Sequence, residues 1–407
     1  MINRGNTHMG RRTAAAIMAL GLVAGACSTS SGEDAVSEDS IESADDGATD
    51  DATETDDADD APDDDAPEDD APDDTVADDA PDDTVEVVQS DGGTLAAVQD
   101  AGVVRCGGNE TLPGFGIVEA DGSYSGFDID YCRVVAAAVL GDADAVDIVP
   151  LNADARFPSL QSGDVDVLIR NTTWTGSRDG EQGANFLFTT FYDGQGVMVP
   201  ESSGFTTLEE LADASICVLS GTTTELNLTS VFDARGIPFT PVVFADNTQL
   251  QPAYESGQCE AWTSDASQLA AFKSSIEEAG GDTQFIMAEV ISKEPLGPVV
   301  ADGDTEWAQA VNWAVMATVQ AWEFGLDSGS IGSYSGEDPS ILAFTGQAEN
   351  PAAGLGLPDD FAVQVVSQVG NYEEIYNEHI VPIGLSLEGS PNDLWTNGGL
   401  MYVPPFR

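Results

Sequence analysis

A chain of 407 residues with 73 acidic and 12 basic side chains carries a formal net charge of −61. That length suffices for two ordinary domains, each with its own core. So acidic a surface repels phosphate backbones and anionic headgroups, which excludes nucleic acid and a bare anionic membrane surface as partners.

Residues 1–26 run from a basic start (Arg4, Arg11, Arg12) through an apolar stretch over 14–23 to Ala24, Gly25 and Ala26, just ahead of Cys27. That order is a bacterial secretory signal peptide, and the small residues before Cys27 resemble the box that marks a cysteine for lipidation after cleavage. From Glu33 to Glu86 there are 27 acidic residues and no lysine or arginine, with the block Asp-Asp-Ala-Pro-Asp-Asp recurring. Like-charge repulsion and scarce apolar residues leave nothing to offset chain entropy, so residues 27–90 are expected to be a lipid-anchored, disordered acidic tether. Three of the 12 bases precede this stretch, so residues 91–407 keep 46 acids against 9 bases. Beyond Cys27 stand Cys106, Cys132, Cys217 and Cys259. An even number in an exported protein points to two disulfides, and the absence of any Cys-x-x-Cys unit argues against a zinc site.

Within the folded part, 103–108 reads as a strand running into a glycine-rich turn, and 131–140 as an apolar helix with Asp128 or Asp130 near its positive end. A strand over 146–150 and a helix over 153–161 lead to a short buried strand, 165–169. This βαβ alternation implies a parallel, right-handed wound sheet. The last strand opens into Arg170-Asn171-Thr172-Thr173-Trp174-Thr175-Gly176-Ser177-Arg178. Ligands of open α/β sheets sit outside the carboxyl ends of the strands, and here that edge offers hydroxyls, an amide and an arginine able to grip a carboxylate bidentately.

A glycine-flanked extended stretch, 193–199, suits a crossing between domains. A helix over 207–212 and a strand over 215–219 follow, and Thr222 and Glu225 then have capping-box spacing, so a helix begins there with free N–H groups that could face an anion. A further βα pair (242–244, 248–257) precedes a strand, 261–265, that ends on Asp265. A helix over 266–279 and a strand over 284–291 lead to a second crossing near 292–300. The helix 305–324 then packs back on the first unit through apolar residues at helical spacing, and the remainder holds short helices among glycines and prolines.

Several blocks, in order, resemble the periplasmic amino-acid-binding proteins of ABC importers, solute-binding family 3, and most of all the general L-amino-acid binding proteins. They include Gly126-Phe127-Asp128-Ile129-Asp130, the run from Arg156 to Leu168, Arg170-Asn171-Thr172-Thr173-Trp174, Tyr192-Asp193-Gly194-Gln195-Gly196, the run from Ser220 to Leu228, Gly370-Asn371-Tyr372 and Leu394-Trp395-Thr396. The resemblance spans residues 91–407. It implies an α/β, two-lobe periplasmic binding protein of type II, each lobe a parallel-type sheet wrapped by helices, joined by two hinge strands. Lobe 1 would comprise residues 91–193 and 295–407, and lobe 2 residues 194–294.

By the same resemblance Arg178 holds the α-carboxylate of an L-amino acid, assisted by Thr173 and, from the opposite lobe, Thr223. Asp265 accepts the α-ammonium, and Asn171 contributes a backbone contact. Ala153 stands where narrower family members carry a stacking ring, and Asn109 where they often carry aspartate, which favours a roomy, tolerant pocket over strict lysine or arginine specificity. Cys106 is expected to pair with Cys132, and Cys217 with Cys259, because a bond between lobes would obstruct hinge motion. The implied role is an exported, lipid-anchored monomer that delivers amino acids to the permease subunits of an ABC importer, with no cofactor and no metal. Two rivals are a sensory module for a signalling partner and a dehydratase-like enzyme on the same fold. The second lacks a nucleophile–base–acid set, since the single histidine beyond the leader, His379, lies far from the cleft residues in sequence.

Overall fold

The computed structural model describes residues 93–407. The expected signal peptide, Cys27 and the expected acidic tether lie outside the described residues. Two mixed sheets organise the chain. The first has the spatial order Val146–Pro150, Val104–Gly108, Val167–Leu168, Val299–Ala301, Ala184–Phe186. Its first three strands run parallel, whereas Val299–Ala301 is antiparallel to both neighbours. The second has the order Thr240–Phe244, Ser215–Leu219, Ala261–Asp265, Phe191–Pro200, Gln284–Ile286, with Lys293–Leu296 also paired to Phe191–Pro200. Here the first three strands are again parallel and Phe191–Pro200 is antiparallel to its three partners.

The expectation of parallel-type sheets therefore holds for the βα-built part of each and fails at the crossings. A chain that leaves one sheet and later returns must run in opposite directions on its two passes. The outgoing Phe191–Pro200 and the incoming Lys293–Leu296 pair antiparallel, with Glu294 opposite Asp193 and Lys293 opposite Gly194.

The helix Phe127–Leu140 buries twelve of its fourteen residues, because the first sheet covers one side and the helices Thr305–Glu323 and Phe361–Gln368 the other. Such an all-round apolar helix is a core element rather than an amphipathic surface one. Phe115, Phe127, Phe191, Tyr372 and Tyr376 meet in one aromatic cluster, with Phe115 and Phe191 5.3 Å apart edge to face. Each such fully buried ring contributes roughly 1.5 to 3 kcal/mol by leaving water. Disulfides pin strand to helix through Cys106–Cys132 and join neighbouring segments through Cys217–Cys259. No described helix is long and apolar enough to cross a membrane.

Some elements are shorter than their patterns predict. The strand expected over 165–169 is regular only at Val167–Leu168, although the Asp166 and Ile169 N–H groups still donate to the Arg105 and Gly107 carbonyls at 2.8 and 2.9 Å, and the Asp166 carboxylate also accepts from the Arg105 N–H (2.7 Å) and guanidinium. The helix expected from residue 153 starts at Arg156, after the Asn152 side chain accepts from the Ala155 N–H at 2.9 Å.

Candidate functional site

The carboxyl ends of the two sheets face each other across a cavity of about 20 Å³. One wall comes from the segment that follows Val167–Leu168. Asn171 adopts φ 29°, in the left-handed region that asparagine tolerates better than most residues. Its N–H is held by the buried carboxylate of Asp128 at 2.7 Å. Burial pushes Asp128 up to about 7, opposed by that N–H and by Arg170. The Asn171 amide donates to Asp265 at 3.3 Å and accepts from Asn109 at 3.3 Å. Asn109 itself is braced by the N–H groups of Glu110 and Thr111.

Thr173 forms an isolated bridge with Leu296, and the Trp174 N–H donates to Pro295 at 2.8 Å, which ties this segment to the returning crossing strand. Thr175 then caps a short helix, Gly176–Glu181, by accepting from the Arg178 N–H. That helix directs Arg178 inward, where Nη1 donates to the Thr173 carbonyl at 2.9 Å.

The opposite wall begins where Ser215–Leu219 turns into the helix Thr223–Arg235. Thr222 caps it by accepting from the Glu225 N–H. The capping box is only half formed, because the Glu225 carboxylate accepts from the Gly221 N–H instead of that of Thr222. Thr223 touches Thr173 across the cleft at 3.4 Å and donates to Glu294 at 2.8 Å. Two more contacts bridge the walls, Ser220 to Asp154 at 2.7 Å and Arg156 Nη2 to the Gly221 carbonyl at 3.2 Å.

The electrostatics are sharply divided. Arg156, Arg170 and Arg178 are 2%, 6% and 9% exposed, and among the described residues no carboxylate reaches ion-pair distance of any of them. Burial lowers the affinity of Arg156 for its proton well below the usual arginine range, with Arg178 and Arg170 adding repulsion, and brings Arg170 down to about 10. On the other side Asp265 is buried and held well above the usual carboxylate range, first by burial and then by Asp193 and Glu294. Burial raises Asp193 to about 6, against hydrogen bonds from Ser267 and Gly194. A cavity with buried guanidiniums that lack an ion-pair partner on one side and a buried acid that lacks one on the other complements a solute that carries both signs.

A model of the bacterial extracellular solute-binding proteins, family 3, matches residues 104–323. The chain belongs to this family. Among its relatives is a glutamate/glutamine/aspartate/asparagine-binding protein of Rhodobacter capsulatus, 43% identical over 77% of this chain and 93% of that one. A general L-amino acid-binding periplasmic protein of Rhizobium johnstonii is 42% identical over the same shares. A solved periplasmic binding protein of an ABC transporter from Brucella ovis, with glutathione bound, superposes with a TM-score of 0.73 at 40% identity, covering 77% of this chain and 99% of that one.

In this family-3 protein, Asn171, Thr173, Thr223 and Asp265 all line the cavity. Arg178 lies immediately behind, on the Thr173 carbonyl, and Asn109 touches the cavity only through Asn171. His379 is remote from it, bound to Asp130 at 2.6 Å. The cavity also contains Arg156 and Arg170, and Asp193 and Glu294 stand behind Asp265, none of which the sequence reading singled out as site residues. A usable signal was present, since these two arginines belong to a folded part with only nine bases.

Proposed function

We propose that this protein captures free L-amino acids outside the cytoplasm and delivers them to the permease of an ABC importer. The observation that carries the reading is geometric: buried arginines on one wall of the cavity and the buried acid Asp265 on the other, none of them in an ion pair among the described residues. In this reading Arg178 takes the α-carboxylate, with the hydroxyls of Thr173 and Thr223 beside it, and Asp265 takes the α-ammonium, oriented by Asn171. The wall-to-wall contacts require the cleft to part before a solute enters, and the paired crossing strands are where the chain can flex. Cys27 would carry the lipid, the acidic segment would space the domain from the membrane, and the protein would act as a monomer. What supports the transport role is the naming of the relatives as amino-acid-binding proteins and their nearly full-length match.

Calorimetric titration with the twenty amino acids tests the proposal. Saturable binding is expected, with the ligand recovered chemically unchanged after denaturation. Consumption of the ligand would reveal an enzyme, and absence of binding to every amino acid would refute the assignment.

A further inference from the structure

Along the two crossing strands the side bonds change allegiance at one step of the ladder. On the outgoing strand the Asp193 carboxylate accepts from the N–H and the hydroxyl of Ser267, in the first turn of the helix Ala266–Glu278, which packs on the second sheet. Opposite it on the returning strand, Glu294 accepts from Thr223 at 2.8 Å and from Asn227 at 2.9 Å, both on the helix Thr223–Arg235 of the same side. One residue nearer the first sheet the attachments switch. The Pro295 carbonyl accepts from the Trp174 N–H at 2.8 Å. Its register partner Tyr192 is held by Asn392, whose Oδ1 accepts from the Tyr192 N–H at 2.7 Å and whose Nδ2 donates to the Tyr192 carbonyl at 3.2 Å.

Tyr192 lies on an edge that no strand covers. Lys293–Leu296 pairs with one side of the outgoing strand, but Ala261–Asp265 pairs with the other only from Gln195 onward. An open edge presents unpaired backbone donors and acceptors, and a side-chain amide carries both kinds of group. Asn392 therefore takes the place of a neighbouring strand residue. It is buried, at 3% exposure, and its loop is braced by Asp393, which accepts from the Gly389 and Leu394 N–H groups and from the Asn397 amide at 2.9 Å. It stands outside residues 104–323, which the family model matches.

We propose that Asn392 is a positioning residue that pins Tyr192 to the first-sheet side, so that the cleft opens by rotation between Tyr192 and Asp193 and between Pro295 and Glu294, a role that rests on the amino-acid-capture reading above and extends it to the motion. Without this clamp the outgoing strand is still held at Thr190, whose carbonyl accepts from the Tyr372 hydroxyl at 2.9 Å, and at Phe191, packed in the aromatic cluster. Tyr192 then becomes an additional swivel. The walls have to meet from a wider set of orientations, and binding any solute has to freeze one more residue.

The test uses the full chain carrying Cys27→Ser, with spin labels on Asp144→Cys and Asp233→Cys, two exposed positions on opposite sides of the cleft. Interlabel distances are measured by pulsed electron resonance with and without L-glutamate, and dissociation constants of L-glutamate and L-alanine by calorimetry. Asn392→Ala is expected to broaden the solute-free distance distribution and to leave the solute-saturated one as in wild type. It is expected to weaken both amino acids alike by about tenfold, the worth of fixing one backbone residue. Asn397→Ala, which loosens the same loop without touching Tyr192, is expected to change none of these. Equal broadening in both variants, an unchanged distribution in Asn392→Ala, or a loss confined to one amino acid would overturn the proposal. Hydrogen exchange of the wild-type Tyr192 N–H needs no variant: without solute it is expected to be at least about a hundredfold slower than that of an uncovered amide. Rapid exchange there would overturn the clamp. Binding of no amino acid by wild type would sink the amino-acid reading, while the solute-free distances and the Tyr192 exchange would still decide the role of Asn392.

Discussion

Asp265 is buried beside two further carboxylates, Asp193 and Glu294, and among the described residues the Asn171 amide is the one donor to its carboxyl group. An ammonium arriving there relieves a repulsion that the fold otherwise has to tolerate. Replacing Asp265 by alanine is therefore expected to weaken every amino acid alike, since all share that ammonium. With Arg178 holding the α-carboxylate as proposed, Arg178→Ala is expected to strand that carboxylate, at about 3 to 5 kcal/mol, or a few hundred-fold or more in dissociation constant. Near-normal affinity for glutamine, glutamate and alanine in that variant would contradict the assignment.

Asp128 gives a prediction about stability instead of binding. Its folded pKa of about 7 lies above the ordinary value of 3.8, so the folded state keeps a proton that the unfolded chain has already released. Its contribution is complete below about pH 4 and is lost as the pH rises through about 7, a span worth roughly 4 kcal/mol. The melting temperature of Asp128→Asn, measured relative to wild type, is expected to climb across that interval. Parallel pH profiles for the two proteins would show that Asp128 is not the titrating group.

At the scale of elements, the site depends on where strands stop. Val167–Leu168 and Ala261–Asp265 end at the cavity, and the helix Thr223–Arg235 starts there, so a residue's place in the sheet register decides whether it reaches the solute. The disulfides act one layer away. Cys217–Cys259 closes a separation of 42 residues and Cys106–Cys132 one of 26, worth about 4 and about 3.5 kcal/mol by restriction of the unfolded chain. Neither pair lines the cavity. Replacing Cys217 and Cys259 by alanine is expected to lower the denaturant midpoint clearly while leaving ligand affinity within about threefold. An unchanged midpoint would mean that this bond adds nothing to stability.

For the molecule as a whole, 46 acids against 9 bases in residues 91–407 make self-repulsion the dominant long-range force. Screening shortens its reach from about 30 Å at 0.01 M salt to about 3 Å at 1 M, so thermal stability is expected to rise with sodium chloride. A melting temperature that fell with salt would show that attractive pairs outweigh the repulsion. Deleting residues 33–90 is expected to leave affinity within about threefold, because a run of like charge has no chemistry that would engage a closed cleft. A larger change would place that segment in contact with the site.

Composition and pattern were enough to separate an acidic leader region from a folded α/β part. The βαβ alternation is local, written in strands and helices that each bury a face, and it identified the parallel core of both sheets. The motif blocks then supplied Asn171, Thr173 and Thr223, and the wider resemblance supplied Asp265 at a strand's end; the four meet at one cavity although they are up to 94 residues apart in the chain. The antiparallel crossing strands escaped because a strand's direction is set by its partners and not by its own residues. Arg156 and Arg170 escaped for a related reason. A long cationic side chain has the same local pattern whether it points to solvent or into a cavity, and only the packing of two distant sheet edges decided that these arginines are buried without an ion pair among the described residues.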